Sequence, residues 1–452
     1  MIDFKMKLSY GLGALGKDTA CAIVYLFLMY YFTDVLGLMP AFVGTLFLIA
    51  RIWDAVNDPM MGMIVDNTRS KYGKFRPWIL IGTILNAIVV VFLFYKPEGL
   101  SETALYIYIS IMYILWGMTY TVMDIPFWAM IPSFSSDKKE IERIAVIPRI
   151  FAALAWLLSG SFGLKFIHQL GKTNPERGFT YAAIIVAIFF IFTSTLTFLY
   201  VKEQIVSNKK APKVNFKDAF KLIIKNDQLV VFIVIVLVFN LMLQIVMGVS
   251  IYYFKYAVRN ESLFAVFTGF SGISKMIALS SFPILSSKLG RQKVFLIACS
   301  MPVIGYSLLF LAGLLIPSSS LAVAICGIVV SSGSGLSLGI TTVMLVDIVD
   351  YGEFRFGSRN ESVIFSAQTF LVKAASAIGG LMIGVGLSLV GYVPNIEQSA
   401  TTITGLRTLM IGIPITLSII EYVVYKKFYK LNNEYFENIN KELENRRAAV
   451  TA

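Results

Sequence analysis

Asp54 and Asp58 stand four residues apart inside a long apolar run, residues 40–64. On a helix that spacing places both carboxylates on one face, one turn apart. A carboxylate carried into hydrocarbon costs about 2.5–3.5 kcal/mol on insertion scales. Two on one face also repel each other unless something positive lies between them. Asn57 sits beside them and adds a neutral oxygen. The pattern asks for a small cation.

Other ionisable residues fall in apolar runs: Lys17, Asp18, Arg51, Asp124, Arg149, Lys275 and Lys373. Such residues mark substrate or ion pathways by default, because little else offsets their desolvation. The structural alternative, salt bridges pinning helices together, suits any one of them better than it suits the set. Trp128 follows Asp124 by one helical turn. A carboxylate beside an indole face suits a sugar: the carboxylate accepts hydroxyl protons and the ring covers the apolar C–H face of a pyranose. Taken alone, Trp128 is equally well explained by packing.

These side chains need membrane-crossing helices to hold them. The chain has 452 residues, 57% hydrophobic and 15% charged, against about 25% charged in soluble domains. A helical span needs about 20 apolar residues. Twelve runs qualify, near residues 9–36, 40–64, 77–96, 103–131, 144–169, 179–201, 229–257, 262–286, 294–315, 319–349, 361–391 and 401–425. They are too long and continuous for a membrane barrel. The first run carries Lys17, Asp18 and Asp34, so a cleavable signal peptide is not expected. The fold class is therefore all-α, with twelve transmembrane helices.

The polar segment 202–228 divides the spans six and six. The expected organisation is an N-terminal six-helix bundle (1–201), a cytoplasmic middle loop (202–228), a C-terminal six-helix bundle (229–425) and a cytoplasmic tail (426–452). The DAFKLII portion of the middle loop has the pattern of a short amphipathic helix. With both termini inside, the loops facing the cytoplasm hold nineteen basic residues: Arg69, Lys71, Lys74, Arg76, Lys138, Lys139, Arg143, seven lysines from Lys202 to Lys225, Lys288, Arg291, Lys293, Arg355 and Arg359. The opposite loops hold six: Lys96, Lys165, Lys172, Arg177, Lys255 and Arg259. This asymmetry places both termini in the cytoplasm. The net charge of +12 is thereby assigned to topology and anionic lipid, not to nucleic acid.

Cys21, Cys299 and Cys326 all fall in spans and read as small buried apolar residues, without disulfide or metal spacing. His168, the single histidine, lies near a helix end and reads as an interfacial polar residue. The stretch from Gly11 to Asp18 nearly fits the phosphate-binding loop, but Asp18 replaces the hydroxyl that ligates magnesium and would repel phosphate. An ATP-driven pump is not supported. Nor is an enzyme, since no nucleophile–base pair or Cys/His grouping is present.

The halves share a weak echo. Gly73-Lys74-Phe75-Arg76 follows the second span and Gly290-Arg291-Gln292-Lys293 follows the eighth. Each places a turn-forming Gly before basic residues at the same point of its half. That is the parallel-repeat layout of major-facilitator transporters.

Many segments carry a closer resemblance: KLSYGLGALGKD (7–18), YYFTDVLGL, GTLFLIARIWDAVNDPMMG, GKFRPWILIGT, YILWGMTYTVMDIPFW, the Pro148-Arg149 pair, IYYFKY, DIVDYGEF, QTFLVK (368–373) and GYVPNIEQS. They resemble, essentially end to end, the melibiose-carrier branch of the glycoside–pentoside–hexuronide:cation symporter family, within the major facilitator superfamily. The resemblance implies symport of a galactoside-type sugar such as melibiose with sodium, lithium or a proton, across the bacterial cytoplasmic membrane. It adds Thr121 to Asp54, Asp58 and Asn57 as cation ligands, with transported sodium as the metal held by Asp54 and Asp58. It implies sugar contacts at Lys17, Asp18, Asp124, Trp128, Arg149, Gln368 and Thr369. Lys373 matches a coupling lysine near the acidic pair, and Arg143, Arg291 and Arg359 an inner gate. No resident cofactor is implied. The expected partners are a small sugar, a monovalent cation and the lipid bilayer, with a regulatory cytosolic protein as a candidate.

The chain departs from the family in places. Leu338 stands where the family's sugar pocket has a tryptophan, and all five tryptophans (Trp53, Trp78, Trp116, Trp128, Trp156) lie in the first half. Lys275 and Gln244 each replace an asparagine, and a helix-five arginine falls on Ile141, two residues before Arg143. The alternative substrate is accordingly another glycoside, a pentoside or a hexuronide.

Overall fold

In the computed structural model the described residues are 3–135, 138–203, 226–357 and 361–431, with 435–436, 438–439, 441–443 and 445. They form helices α1 (Phe4–Tyr30), α2 (Pro40–Asn67), α3 (Arg76–Leu93), α4 (Glu102–Ala129), α5 (Lys138–Gly171), α6 (Pro175–Tyr200), α7 (Asp227–Tyr252), α8 (Ser262–Leu289), α9 (Arg291–Leu315), α10 (Ser320–Phe356), α11 (Glu361–Leu389) and α12 (Ala400–Phe428). α12 is interrupted by a π-turn at Thr408–Gly412. The DAFKLII segment and Arg359 lie outside the described residues.

Eleven of these helices are long and apolar enough to cross a membrane. α2 is not among them, although it runs for 28 residues. Arg51, Asp54 and Asp58 lower its hydropathy, so the candidate ligands are what make this helix atypical. All-helical spanning follows from the solvent, because hydrocarbon offers no partner to a backbone amide or carbonyl. The large apolar side chains left exposed, such as Ile49, Ile188, Ile277 and Leu321, suit contact with lipid.

Contacts divide the chain into two units. One comprises Met1–Lys210 and Gly384–Glu397, the other Ala211–Ile383 and Gln398–Ala452. In the first, α1 packs on α5 and α6, α3 on α4 and α6, and α2 on α4. In the second, α10 packs on α8 and α9, and α12 on α7 and α9. Four pairings of the first unit (2·4, 3·4, 3·6 and 1·6) thus recur in the second with the helix numbers raised by six. α1 and α7 also both run into a five-residue π-turn, Tyr31–Val35 and Tyr253–Ala257. The loops after α2 and α8 each place a glycine at positive φ, Gly73 at 101° and Gly290 at 82°, a region that side chains disfavour. The weak sequence echo therefore marks an internal duplication.

The end of the first unit that carries the α2–α3 loop is held by one carboxylate. Glu203 accepts the backbone N–H groups of Lys74 and Phe75, each at 2.8 Å, and of Arg76 at 3.3 Å. An anion there meets the free amides and the positive end of α3. Arg76 Nε donates to the Phe198 carbonyl at 2.8 Å, tying the same turn to α6.

Candidate functional site

α4 carries side chains that meet both groups of embedded charges in the first unit. Thr121 Oγ1 donates to Asp58 Oδ1 at 3.0 Å and joins α4 to α2. Asp58 and Asn57 are half-buried. The Asn57 Nδ2 atom is enclosed without a hydrogen-bond partner, and an amide turned over would place its oxygen there. Pro59 has no N–H, so the Ala55 carbonyl one turn back lacks its helical donor. The Asp58 carboxylate, the Thr121 hydroxyl that meets it and the undonated Ala55 carbonyl thus lie at the same turn of α2.

Asp54 has a different environment. Arg51 Nη1 lies 2.8 Å from Asp54 Oδ2, with both side chains almost entirely enclosed. The guanidinium donates to the Tyr113 hydroxyl at 3.3 Å. It lies 5.5 Å from the Tyr25 ring centroid and 5.6 Å from that of Trp116. Trp116 in turn stacks on Tyr113 and Tyr120. Gly117 allows this approach: a Cβ there would sit 2.9 Å from Asp54 Oδ1. Asp54 is thus paired with Arg51 on its own helix, and Asp58 meets Thr121 of α4.

Lys17 organises the second group. Its Nζ lies 3.0 Å from Asp18 Oδ2 and 2.8 Å from Asp124 Oδ1, while the lysine side chain is only 2% exposed. Trp128 Nε1 donates to Asp124 Oδ1 at 3.1 Å, and Trp156 Nε1 to Asp18 Oδ1 at 3.4 Å. The ammonium sits 5.1 Å from the Trp128 ring centroid and donates to the Tyr120 hydroxyl at 3.4 Å. Two carboxylates and one ammonium leave a net negative charge, suited to accepting hydroxyl protons. Asp124 is the more open acid, its side chain 27% exposed against 12% for Asp18. The indole edge and the ammonium hold Asp124 in place while leaving one of its oxygens for another donor.

The remaining candidates are placed as follows. Arg149 and Arg143 are exposed on α5. On α11 of the second unit, Gln368 and Lys373 are half-buried and Thr369 is exposed. Leu338 on α10 and Lys275 on α8 are half-buried. Arg291 pairs with Asp347 at 2.7 Å. The Tyr429 hydroxyl donates to the same carboxylate at 3.5 Å, and burial with that negative neighbour holds the phenol protonated well above its ordinary range. Among the described residues no group of three or more His, Cys, Asp or Glu side chains gathers as a metal site.

Sequence reasoning passed over the aromatic frame of Tyr25, Tyr113, Trp116, Tyr120 and Trp156. A signal was present: Trp116, Tyr120, Asp124 and Trp128 recur every four residues and form one stripe of α4.

Comparison with known proteins shows the family of the chain. The family described as MFS/sugar transport protein matches residues 9–433. The chain belongs to that family. It is 29% identical over 449 residues to an uncharacterized symporter, YnaJ, of Bacillus subtilis, covering 98% of this chain and 96% of that protein. It is 28% identical over 431 residues to the isoprimeverose transporter of Lactiplantibacillus pentosus, covering 94% and 89%. The crystal structure of the nucleoside transporter NupG shares the fold, with a TM-score of 0.66 at 15% identity over 93% of this chain and 99% of that one. The protein is thus a multi-pass transporter of the major-facilitator fold, and not an enzyme.

Proposed function

We propose that this sugar transporter couples uptake of a galactoside-type sugar such as melibiose to sodium, lithium or a proton by alternating access. The observation that supports this most directly is the double engagement of α4. Thr121 contacts Asp58, and one turn away Asp124 and Trp128 surround Lys17. A cation bound by Asp58, Thr121, Asn57 and the Ala55 carbonyl pulls on the same helix that presents the sugar-binding carboxylate and indole. Asp54 joins when Arg51 turns aside. Each ligand then binds a helix the other has ordered, and the coupling is reciprocal.

Lys17, Asp18, Asp124, Trp128 and Arg149 are the proposed sugar contacts in the first unit, with Gln368 and Thr369 contributed by α11. Lys373 is the proposed coupling lysine, and Arg143, Arg291 and Arg359 the inner-gate residues. The excess of basic residues in alternate loops supports a cytoplasmic-membrane location with both termini inside. The reading needs no resident cofactor, and a cytosolic regulatory protein remains a candidate partner for the basic loops.

Uptake of labelled α- and β-galactosides into vesicles, with and without an imposed sodium or pH gradient, tests the reading. Accumulation that follows the gradient is expected. A rate indifferent to every gradient reduces the protein to a facilitator. A second reading, another glycoside, a pentoside or a hexuronide, is favoured by the aliphatic Leu338 and the cationic Lys275. The similarity to an isoprimeverose transporter points the same way. Uptake of such a sugar with galactosides excluded selects it.

A further inference from the structure

Glu421 lies within α12, well before its end, and is 1% exposed. Its Oε1 atom is buried with no hydrogen-bond partner. The polar side chain within hydrogen-bonding reach is Ser337 of α10, itself 2% exposed. One turn earlier, the Ser418 hydroxyl is turned to the Met242 sulfur of α7 at 3.1 Å. One turn later, the Tyr425 ring stacks on Phe295 at 3.9 Å. The surroundings are otherwise the apolar cluster of the second unit, with Val294, Phe295, Ala298, Leu336 and Ile340.

Among the described residues no basic side chain pairs with this carboxyl group. Cys299 of α9 lies close enough to interact with it, Ser337 of α10 lies within hydrogen-bonding reach, and the Met242 thioether of α7 meets Ser418 one turn away. Tyr425 is the ionisable neighbour on its own helix. The basic residues of these elements sit elsewhere: Arg291 is held by Asp347, Lys293 is exposed in the first turn of α9, Arg355 and Lys430 are held by Asp227, and Lys426 and Lys427 follow at the helix end. Arg407 lies more than three turns away along α12. An ionised carboxylate so enclosed would bear an unrelieved desolvation penalty, whereas a carboxylic acid needs only its one O–H satisfied.

We propose that Glu421 is a proton-binding site of the second unit, separate from Asp54 and Asp58. It is carried as the neutral acid in this conformation and releases its proton only when α7, α9, α10 and α12 part enough for water to reach Oε1. This inference stands on the second unit alone and does not depend on which sugar or coupling ion the protein takes.

The test uses the full-length protein in lipid. Infrared absorption at neutral pH should show the carbonyl stretch of a protonated carboxylic acid, with that band diminished in E421Q. The contribution of Glu421 to thermal stability, read as the difference between wild type and E421Q, should be present in acid and lost as pH rises. E421Q, with a permanently neutral amide, should lose the slope due to one proton. If E421Q does not fold, E421D keeps the acid and should displace the band. Wild-type and variant spectra that coincide in the carboxylic-acid region, or identical pH profiles of unfolding, overturn the proposal.

Discussion

Thr121 and Asp58 join two helices through a 3.0 Å hydrogen bond, and the hydroxyl is the only feature of Thr121 that can make it. A hydrogen bond to a charged group contributes about 1.5–3 kcal/mol. T121V keeps the shape and removes the donor. Its sodium, lithium or proton activation of sugar uptake should shift to roughly tenfold or more higher cation concentration. An unchanged activation curve would remove Thr121 from the cation site.

D58N and D54N should differ. D58N removes the acid that Thr121 contacts, so uphill accumulation should vanish while downhill exchange of sugar persists. Counterflow in energised and de-energised vesicles separates the two activities. Normal accumulation by D58N would move the coupling ion elsewhere.

Arg51 and Asp54 form an enclosed pair, and removing one partner of such a pair typically destabilises by about 3–5 kcal/mol. R51Q and D54N should each lower the thermal midpoint in detergent. The double variant should lose less than the two single losses combined, because neither charge is then left alone. Additive losses would mean that the 2.8 Å contact contributes nothing.

W128F and D124N probe the sugar side. D124N should weaken sugar binding by roughly a hundredfold, since an amide accepts hydroxyl protons far less well than a carboxylate. W128F should weaken it by roughly tenfold through the lost indole donor and face. Isothermal titration of the purified protein measures both. Sugar affinity unchanged in D124N would place the pocket away from Lys17.

Glu203 should be worth about 1–2 kcal/mol as the anion at the start of α3. E203A should lower the thermal midpoint without altering the cation or sugar dependence of uptake. A changed coupling ratio in E203A would show that this turn takes part in transport.

The spans were legible because a hydrocarbon solvent demands long apolar runs, and even the odd composition of α2 was visible as Asp54 and Asp58. Asp124 with Trp128 was legible from a single helical turn. Partners on other helices were not. Nothing in the order of residues shows that Trp156 reaches Asp18, or that Tyr25 and Trp116 cover Arg51, because helix packing sets those contacts. Arg51 was visible as an embedded charge, but its rotamer decides whether it serves Asp54 or a ligand. Glu421 falls inside the expected span 401–425 but was passed over among the embedded charges, and only the packing of the second unit shows how fully it is enclosed.

Arg51 and Asp54 belong to the same turn of α2 and stay together wherever that helix goes. Their opposite charges travel as a small dipole. A carrier built this way can return across the bilayer unloaded without dragging a naked anion at Asp54, which makes the empty half of a transport cycle easier than its sequence of embedded acids suggests.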